Sequence, residues 1–246
     1  MVLSRAQLEE IAAAVTEDFN RFFFGISLEE EREDPLPTPI DQLAKDYLGL
    51  EVVFAPLSAD GSICGLTAYT DTCFTVEIEG IVRKYPLREN QIALDKSFIQ
   101  PDQVKKLCGK RRFTLAHECA HQILFQLESD EMKSRWKDAY ATRKAFSLRD
   151  LKSREDWNEW QANVLGAALL MPQEEMEIAM WKFARCRTLL NYEGRFLYWD
   201  QQALDSICRS FGVSRSAAII RLRELGYLED RPYYDFFEPS GRRVWT

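Results

Sequence analysis

Residues 113–125 read FTLAHECAHQILF, and this stretch predicts the central helix of the fold. Apolar residues recur in it at helical spacing, and it contains no proline or glycine, so an amphipathic helix is favoured. His117 and His121 stand one turn apart and about 40° apart around the helix axis, so their ring nitrogens can bind one metal ion. Glu118 lies beside that face, where its carboxylate would miss the ion but reach a water molecule at the ion.

The third protein ligand of such a site cannot be a histidine of this chain, because the chain contains two histidines and both lie in this motif. A catalytic zinc site needs three protein ligands and a water. The remaining ligand is therefore a carboxylate or a thiolate. Cys119 points about 200° away from His117, towards the apolar side of the helix, so we expect it to pack in the core. The acidic residues downstream of the motif include Glu128, Asp130, Glu131, Asp138, Asp150, Glu155, Asp156 and Glu159.

Glu159 is the favoured third ligand because it opens a helical run rich in small residues, EWQANVLGAALLMP at residues 159–172. Glu159 and Asn163 form a polar stripe on an otherwise apolar helix, which would place a supporting amide beside a carboxylate ligand. Gly166 would let this helix approach the histidine helix closely. Asp156, Glu155 or another acid is the alternative ligand.

The pattern of the whole chain indicates an α+β fold. A first helix is predicted at about residues 5–24 and a second from Ile40 to Leu48. Four short segments rich in β-branched and aromatic residues then predict a small antiparallel sheet on the N-terminal side, at residues 50–55, 64–69, 73–79 and 91–95. Beyond residue 100 the pattern is helical almost to the end, and the helices are expected to carry the metal.

Composition excludes several classes of protein. The chain has 246 residues, of which 46% are hydrophobic, as in globular proteins, and its net charge of −7 argues against sequence-indifferent binding to nucleic acid. Its six cysteines include no CxxC pair and do not resemble a secreted disulfide framework. No apolar run approaches the roughly 18 residues that span a membrane. We therefore expect a cytoplasmic protein that binds neither membranes nor, directly, nucleic acid.

These motifs together resemble the ImmA/IrrE family of zinc metallopeptidases, whose HExxH site is gluzincin-like. The resemblance is carried by RFTLAHExxH at residues 112–121, ExxAN at residues 159–163 and LLMP at residues 169–172. It extends to Gly65 and Tyr69 and to residues 211–222. Two departures are Cys119–Ala120, where Leu-Gly is commoner, and Gln161, where a second Glu is frequent.

The resemblance implies a zinc-dependent endopeptidase in which His117, His121 and Glu159 bind Zn²⁺ and Glu118 is the catalytic residue. It also implies a protein substrate, a helix-turn-helix transcriptional repressor whose cleavage relieves repression in mobile-element or stress-response regulation. Two alternatives stay open. One is an antirepressor that binds its partner without cutting it, and the other is a DNA-binding regulator with a structural zinc.

The C-terminal part has the sequence pattern of a helix-turn-helix, because two helical segments flank Phe211–Gly212–Val213–Ser214. We therefore divide the chain into a zinc metallopeptidase domain at residues 1–198, a helix-turn-helix-like subdomain at 199–230 and a tail at 231–246. A hairpin that packs on the preceding domain or meets the substrate is favoured over a DNA-reading element, because the net charge of this region is small.

Overall fold

A computed structural model of the chain describes residues 2–26, 32–78, 80–136 and 154–236. Residues 237–246 of the predicted tail lie outside this part of the chain. So do two of the candidate acids, Asp138 and Asp150, and the side chains of Glu155 and Asp156.

The first helix, α1 (Arg5–Phe24), has the bounds that the sequence predicts. Ser4 and Gln7 cap its start reciprocally, and Gly25 ends it in a left-handed conformation with φ of 64°. The second, α2 (Ile40–Gln42), is shorter than predicted, since its chain continues as a wider π-helical turn over Leu43–Tyr47. The later helices are α3 (Cys108–Gln126), α4 (Asp130–Trp136), α5 (Arg154–Leu170), α6 (Gln173–Ala179), α7 (Tyr198–Phe211) and α8 (Arg215–Glu224).

The strands form a mixed arrangement, so the prediction of one antiparallel sheet is wrong in its pairing. In the three-stranded sheet, β5 (Gln91–Asp95) lies between β1 (Glu51–Ala55), which is parallel to it, and β2 (Gly65–Thr67), which is antiparallel. The strands β3 (Thr72–Ile78) and β4 (Ile81–Leu87) pair with each other as a separate antiparallel hairpin. The connection from β1 to β5 is long enough to contain three strands, which permits the parallel pairing.

A second correction concerns the C-terminal half, where the helical pattern concealed two short strands. These are β6 (Leu189–Tyr192) and β7 (Leu228–Arg231), which pair in parallel. They bracket α7 and α8 and bring the two ends of that helical pair together. The molecule is therefore a mixed α+β protein with a helical centre and small sheets around it.

The main apolar core joins α3 to the C-terminal helices. Leu115 and Cys119 of α3 belong to the same buried cluster as Leu204 and Phe211 of α7 and Leu222 of α8. A turn at residues 212–214 connects α7 to α8, and Ser214 caps α8 by accepting a hydrogen bond from an N–H of its first turn. The helices α7 and α8 therefore share one buried apolar core with α3.

None of the helices in the described part of the chain is long and apolar enough to cross a membrane.

Candidate metal centre

Two helices bring the candidate ligands together. His117 and His121 lie in the middle of α3, and Glu159 lies in the second turn of α5, which crosses α3 closely. The close crossing depends on Gly166, because a Cβ built there would stand 3.0 Å from the backbone nitrogen of His117. All three side chains are buried, with exposed fractions of 0%, 1% and 4% for His117, His121 and Glu159.

The donor atoms of the three residues converge on one point. The Nε2 atoms of His117 and His121 are 2.9 Å apart. Oε2 of Glu159 lies 3.4 Å from Nε2 of His117, and Oε1 of Glu159 lies 3.2 Å from Nε2 of His121. Among the described residues, these three form the group of His, Cys, Asp and Glu side chains that could hold a metal ion. The structure thus brings together the residues that the sequence singled out.

Asn163 fixes the orientation of the first histidine. Its Oδ1 lies 2.9 Å from Nδ1 of His117, one turn along α5 from Glu159. An amide oxygen can only accept a hydrogen bond, so Nδ1 of His117 carries the proton and Nε2 presents its lone pair to the centre. This is the arrangement in which an outer partner holds a metal-binding imidazole.

The residues at the centre fit a divalent cation. Two imidazole nitrogens and a carboxylate, all on buried side chains, face one another, and Oε2 of Glu159 has no hydrogen-bond donor within the described part of the chain. Buried charge without a partner is costly, and a bound cation would neutralise the carboxylate and engage the nitrogen lone pairs. Two histidines with one carboxylate is a ligand set of catalytic metal sites that keep a fourth position open.

The charge state of Glu159 is set by its neighbours. Burial by itself would raise the pKa of this carboxyl, but the neighbouring imidazoles of His117 and His121 outweigh burial and lower the pKa to about 2. The carboxylate is therefore ionised at neutral pH and available as a ligand.

Glu118 is buried beside the centre and touches the edge of the sheet. A Cβ built on Gly65 of β2 would stand 2.5 Å from Oε1 of Glu118 and 2.7 Å from Cγ2 of Thr114. Any larger residue at this position would therefore displace the Glu118 and Thr114 side chains from where they lie. Glu118 is not one of the three converging residues, which agrees with its position one residue round the helix from His117.

The strand β2 is also fastened to α3 further along. Nε2 of the buried Gln122 donates to Oγ1 of Thr67 at 2.6 Å and to the carbonyl oxygen of Ala68 at 2.9 Å. The Tyr69 ring stacks on Phe125 one turn later, with ring centroids 4.3 Å apart. Sequence reasoning missed Gln122, since a glutamine after the motif carries no signal until its partner strand is known.

Two further side chains near the centre have definite environments. Cys119 is buried in the apolar cluster, as predicted, and burial raises the pKa of its thiol. Tyr69 is one of several tyrosines that could serve as an oxyanion stabiliser. Burial raises its pKa well above the usual value, and the charges of Glu118 and Glu159 raise it further. Tyr69 therefore stays protonated close to both carboxylates.

Gln161, which stands in the ExxAN segment at the position where a second Glu is frequent, makes a structural contact away from the centre. Its side chain is buried and faces away from the centre, where Oε1 accepts a hydrogen bond of 2.6 Å from the backbone N–H of Leu3. It thus ties the chain before α1 to α5. A carboxylate at this buried position would carry a charge that the amide avoids.

Comparison with known proteins yields one match. Residues 108–223, which include all of α3 and α5 and most of α8, match the family model Peptidase_M78, described as the IrrE N-terminal-like domain. No curated protein and no solved structure shows significant similarity to the chain.

Proposed function

Because the chain belongs to the ImmA/IrrE family, we propose that it is a zinc-dependent endopeptidase that cuts a protein substrate. One observation carries this proposal. Three buried donors from His117, His121 and Glu159 converge on one point, and a fourth buried group, Glu118 of the same helix as the histidines, lies against Gly65 of β2. A metallopeptidase of this kind needs a Lewis acid next to a proton-transferring carboxylate.

In the proposed mechanism, His117, His121 and Glu159 would hold Zn²⁺. When bound, this ion supplies Lewis acidity towards the scissile carbonyl and acidifies the attacking water. Glu118 accepts a proton from that water and later delivers it to the departing amine. Asn163 keeps the His117 tautomer with its lone pair towards the ion.

The edge of the sheet offers a place for the substrate backbone. The backbone N–H of Ala68 donates a hydrogen bond to β5, and the backbone C=O of Cys64 accepts one from β5. In and around β2, the backbone groups of the even-numbered residues therefore face β5. The backbone groups of Gly65 and Thr67 alternate with them and point to the side that no described strand covers. We propose that an extended peptide adds to this edge by strand addition. N-methylation of the substrate backbone at the pairing positions should abolish cleavage, and unchanged cleavage would refute strand addition.

The substrate that the family resemblance implies is a helix-turn-helix repressor, and cytoplasmic location follows from the same proposal. The hairpin of α7 and α8, residues 199–230 in the predicted division, would then serve packing or substrate contact, with direct DNA binding not expected. Incubation with a candidate repressor encoded beside this gene, followed by mass spectrometry, tests the assignment. Two defined fragments support proteolysis, whereas an intact complex would identify a non-cutting antirepressor.

The decisive variant is Glu118→Gln. Zinc content should be unchanged, because the three ligands stay in place, while cleavage should fall by roughly two to four orders of magnitude, the usual contribution of general acid–base catalysis. Metal analysis and the cleavage rate of the same sample give both numbers. Full activity in Glu118→Gln would exclude the mechanism.

His117→Ala is the matched control for the metal. It should lose zinc and activity together, since a ligand is removed. Unchanged metal content in His117→Ala would mean that the ion is held elsewhere. Salt-dependent DNA binding by the full chain, with zinc present and no cleavage, would instead favour a regulator with a structural zinc.

A further inference from the structure

A groove lies behind the metal centre, on the side of α5 that faces the C-terminal helices. Its walls come from the start of α1, the first turns of α3, the middle of α5 and the outer face of α8. Its volume is about 480 Å³. Grooves of this size accept a small organic molecule, for which about 300–1,000 Å³ is typical. We call it the α5/α8 groove.

The walls of the α5/α8 groove are mainly apolar and partly aromatic. Phe113 and Trp160 are half-buried on its sides, and Val164, Ala167 and Ala217 lie along it. The small side chains of the two alanines leave the space open. A ligand with a flat or short aliphatic body would bury its surface against these groups.

The charges at the rim of the groove are unequal. Arg5 is paired with Glu224 at 2.8 Å and lies 6.0 Å from the centre of the Trp160 ring, so the charge of this arginine is neutralised locally. Lys110 is exposed and has no acidic partner within the described ranges of the chain. Among the described residues that line the groove, Lys110 is therefore the cation without an acidic partner, which favours a ligand with a single negative charge.

We propose that the α5/α8 groove binds a small amphipathic anion, with an aromatic or short alkyl body against Trp160 and Phe113 and an acidic group near Lys110. This proposal does not depend on whether the metal centre cuts a peptide.

The groove and the metal centre share Asn163. The oxygen of this amide is engaged by His117, and the same residue lines the groove, so its amide nitrogen is the polar atom that it offers to a ligand. A ligand that accepts a hydrogen bond there would immobilise the amide that orients His117. Binding in the groove and binding at the metal centre should therefore strengthen each other, because coupling between two sites is reciprocal.

The ligand class can be tested with two matched probes on the full chain. The anionic probe is 8-anilinonaphthalene-1-sulfonate, and the neutral one is N-phenyl-1-naphthylamine, which has the same rings without the sulfonate. Calorimetric or fluorescence titration should show one site that prefers the anion by roughly two- to fivefold, the range for a partly exposed ion pair. Lys110→Gln should remove that preference, whereas Lys84→Gln on β4 should keep it. If Lys110→Gln prefers the anionic probe as strongly as Lys84→Gln does, the charge assignment is overturned.

The location can be tested by filling the groove. Ala217→Trp should raise the dissociation constant of both probes by about tenfold or more, since the indole would occupy their space. Ser216→Trp is the control, because Ser216 is the exposed residue directly before Ala217 in α8. It should leave the dissociation constants of both probes unchanged. Ile220→Glu should weaken the anion selectively, and it can be introduced safely because Ile220 is 51% exposed. Unaltered binding in both Ala217→Trp and Ile220→Glu would overturn the proposal.

The link to the metal centre has its own readout. Saturating Zn²⁺ should lower the dissociation constant of the anionic probe by about fivefold or more, the lower end of typical coupling between sites. Asn163→Ala should abolish this difference while the probe still binds. Equal affinity with and without Zn²⁺ would overturn the coupling. These titrations involve no substrate, so their outcome is independent of whether the chain cuts a repressor.

Discussion

At the scale of single residues, the two histidines that are candidate ligands differ in the groups that contact their outer ring nitrogens. His117 has its outer nitrogen bound by Asn163, whereas Nδ1 of His121 has no hydrogen-bond partner among the described residues. The two histidines are therefore held differently, and the first is the one whose orientation is fixed by a hydrogen bond to another side chain.

Asn163 can be tested directly on metal affinity. Asn163→Ala should weaken zinc binding by about 10- to 100-fold, as is usual when the outer hydrogen bond of a ligating histidine is lost. Asn163→Asp keeps an acceptor for Nδ1–H and should bind zinc more tightly than the alanine variant. Competition with a chelating dye measures both affinities. Equal affinities in Asn163→Ala and the unmodified protein would show that the hydrogen bond does not position His117.

Gly65 is the residue on which the placement of Glu118 depends. Its backbone needs no positive φ, so Gly65→Ala is limited only by the contacts of the added Cβ with Glu118 and Thr114. We expect cleavage to fall by roughly 100-fold with zinc retained, because a small displacement of a catalytic group is enough for such a loss. The additional change Thr114→Ser removes one of the two contacts and should restore part of the rate. A Gly65→Ala protein with full activity would contradict this contact.

At the scale of elements, the crossing of α3 and α5 determines the geometry of the centre. His117 and His121 come from one helix, Glu159 and Asn163 from the other, so any change in the separation of the helices changes all their distances together. The strand β2 lies along the same helix α3 and is pinned by Gly65 and by Gln122. The two histidines, Glu118 and the sheet edge thus lie along α3, while Glu159 approaches from α5.

The helix crossing makes Gly166 a sensitive position. Alanine is normally better than glycine in a helix by about 1 kcal/mol. Here its Cβ would meet the backbone of Ala116 and His117 at 3.0 to 3.1 Å, where no flexible side chain can give way. Gly166→Ala should therefore lower the free energy of unfolding by about 1–3 kcal/mol, the usual cost of overpacking.

Urea denaturation measures this change, and the same sample should bind zinc more weakly. Ser216→Ala on the exposed face of α8 is the control for helix propensity alone and should not destabilise the protein. A Gly166→Ala protein more stable than the unmodified one would mean that the two helices can separate without cost.

At the scale of the whole molecule, a buried ion pair joins the two ends of the chain. Arg221 of α8 is fully buried and makes a bidentate pair with Glu9 of α1, with Nη2 to Oε2 at 2.8 Å. Its Nε also donates to the carbonyl oxygen of Met171, just after α5, at 3.0 Å. One side chain thus fastens α8, α1 and the end of α5.

Removal of one partner of this pair should be costly. Glu9→Gln leaves a guanidinium that cannot lose its proton in a dry site, and we expect the free energy of unfolding to fall by about 3–5 kcal/mol. Arg221→Met should cost less, because the Glu9 side chain is 17% exposed and can be hydrated. The double variant Glu9→Leu with Arg221→Met should recover part of the loss. Urea midpoints rank the three, and a smaller loss in Glu9→Gln than in Arg221→Met would contradict this reasoning.

Much of the centre follows from short-range sequence patterns. The spacing of His117 and His121 on one helix face is fixed by helix geometry, and the shortage of histidines directs the search for a third ligand to the acids. Glu159 could be favoured because a polar stripe on a small-residue helix is unusual. The first helix is equally predictable, since Ser4 and Gly25 are local start and stop signals.

Other features depended on contacts between distant residues. Local propensity marks the segments 50–55 and 91–95 as strands but does not say that they pair in parallel, because pairing depends on the connection between them. The strands β6 and β7 are four residues each, and a helical neighbourhood conceals segments that short. Gln122, Gln161 and Arg221 take their roles from partners 50 or more residues away.

The sequence by itself thus predicted the candidate metal ligands of α3, because both histidines lie in a five-residue motif of one helix. It also determined the α+β class and the beginnings and ends of several helices, which depend on neighbouring residues. The tertiary structure alone decided that Glu159 meets the histidines, that Gly65 borders Glu118 and that Asn163 faces both the centre and a groove. These relations depend on how closely α3, α5, β2 and α8 pack, and such distances follow from the filling of the whole core rather than from any local pattern.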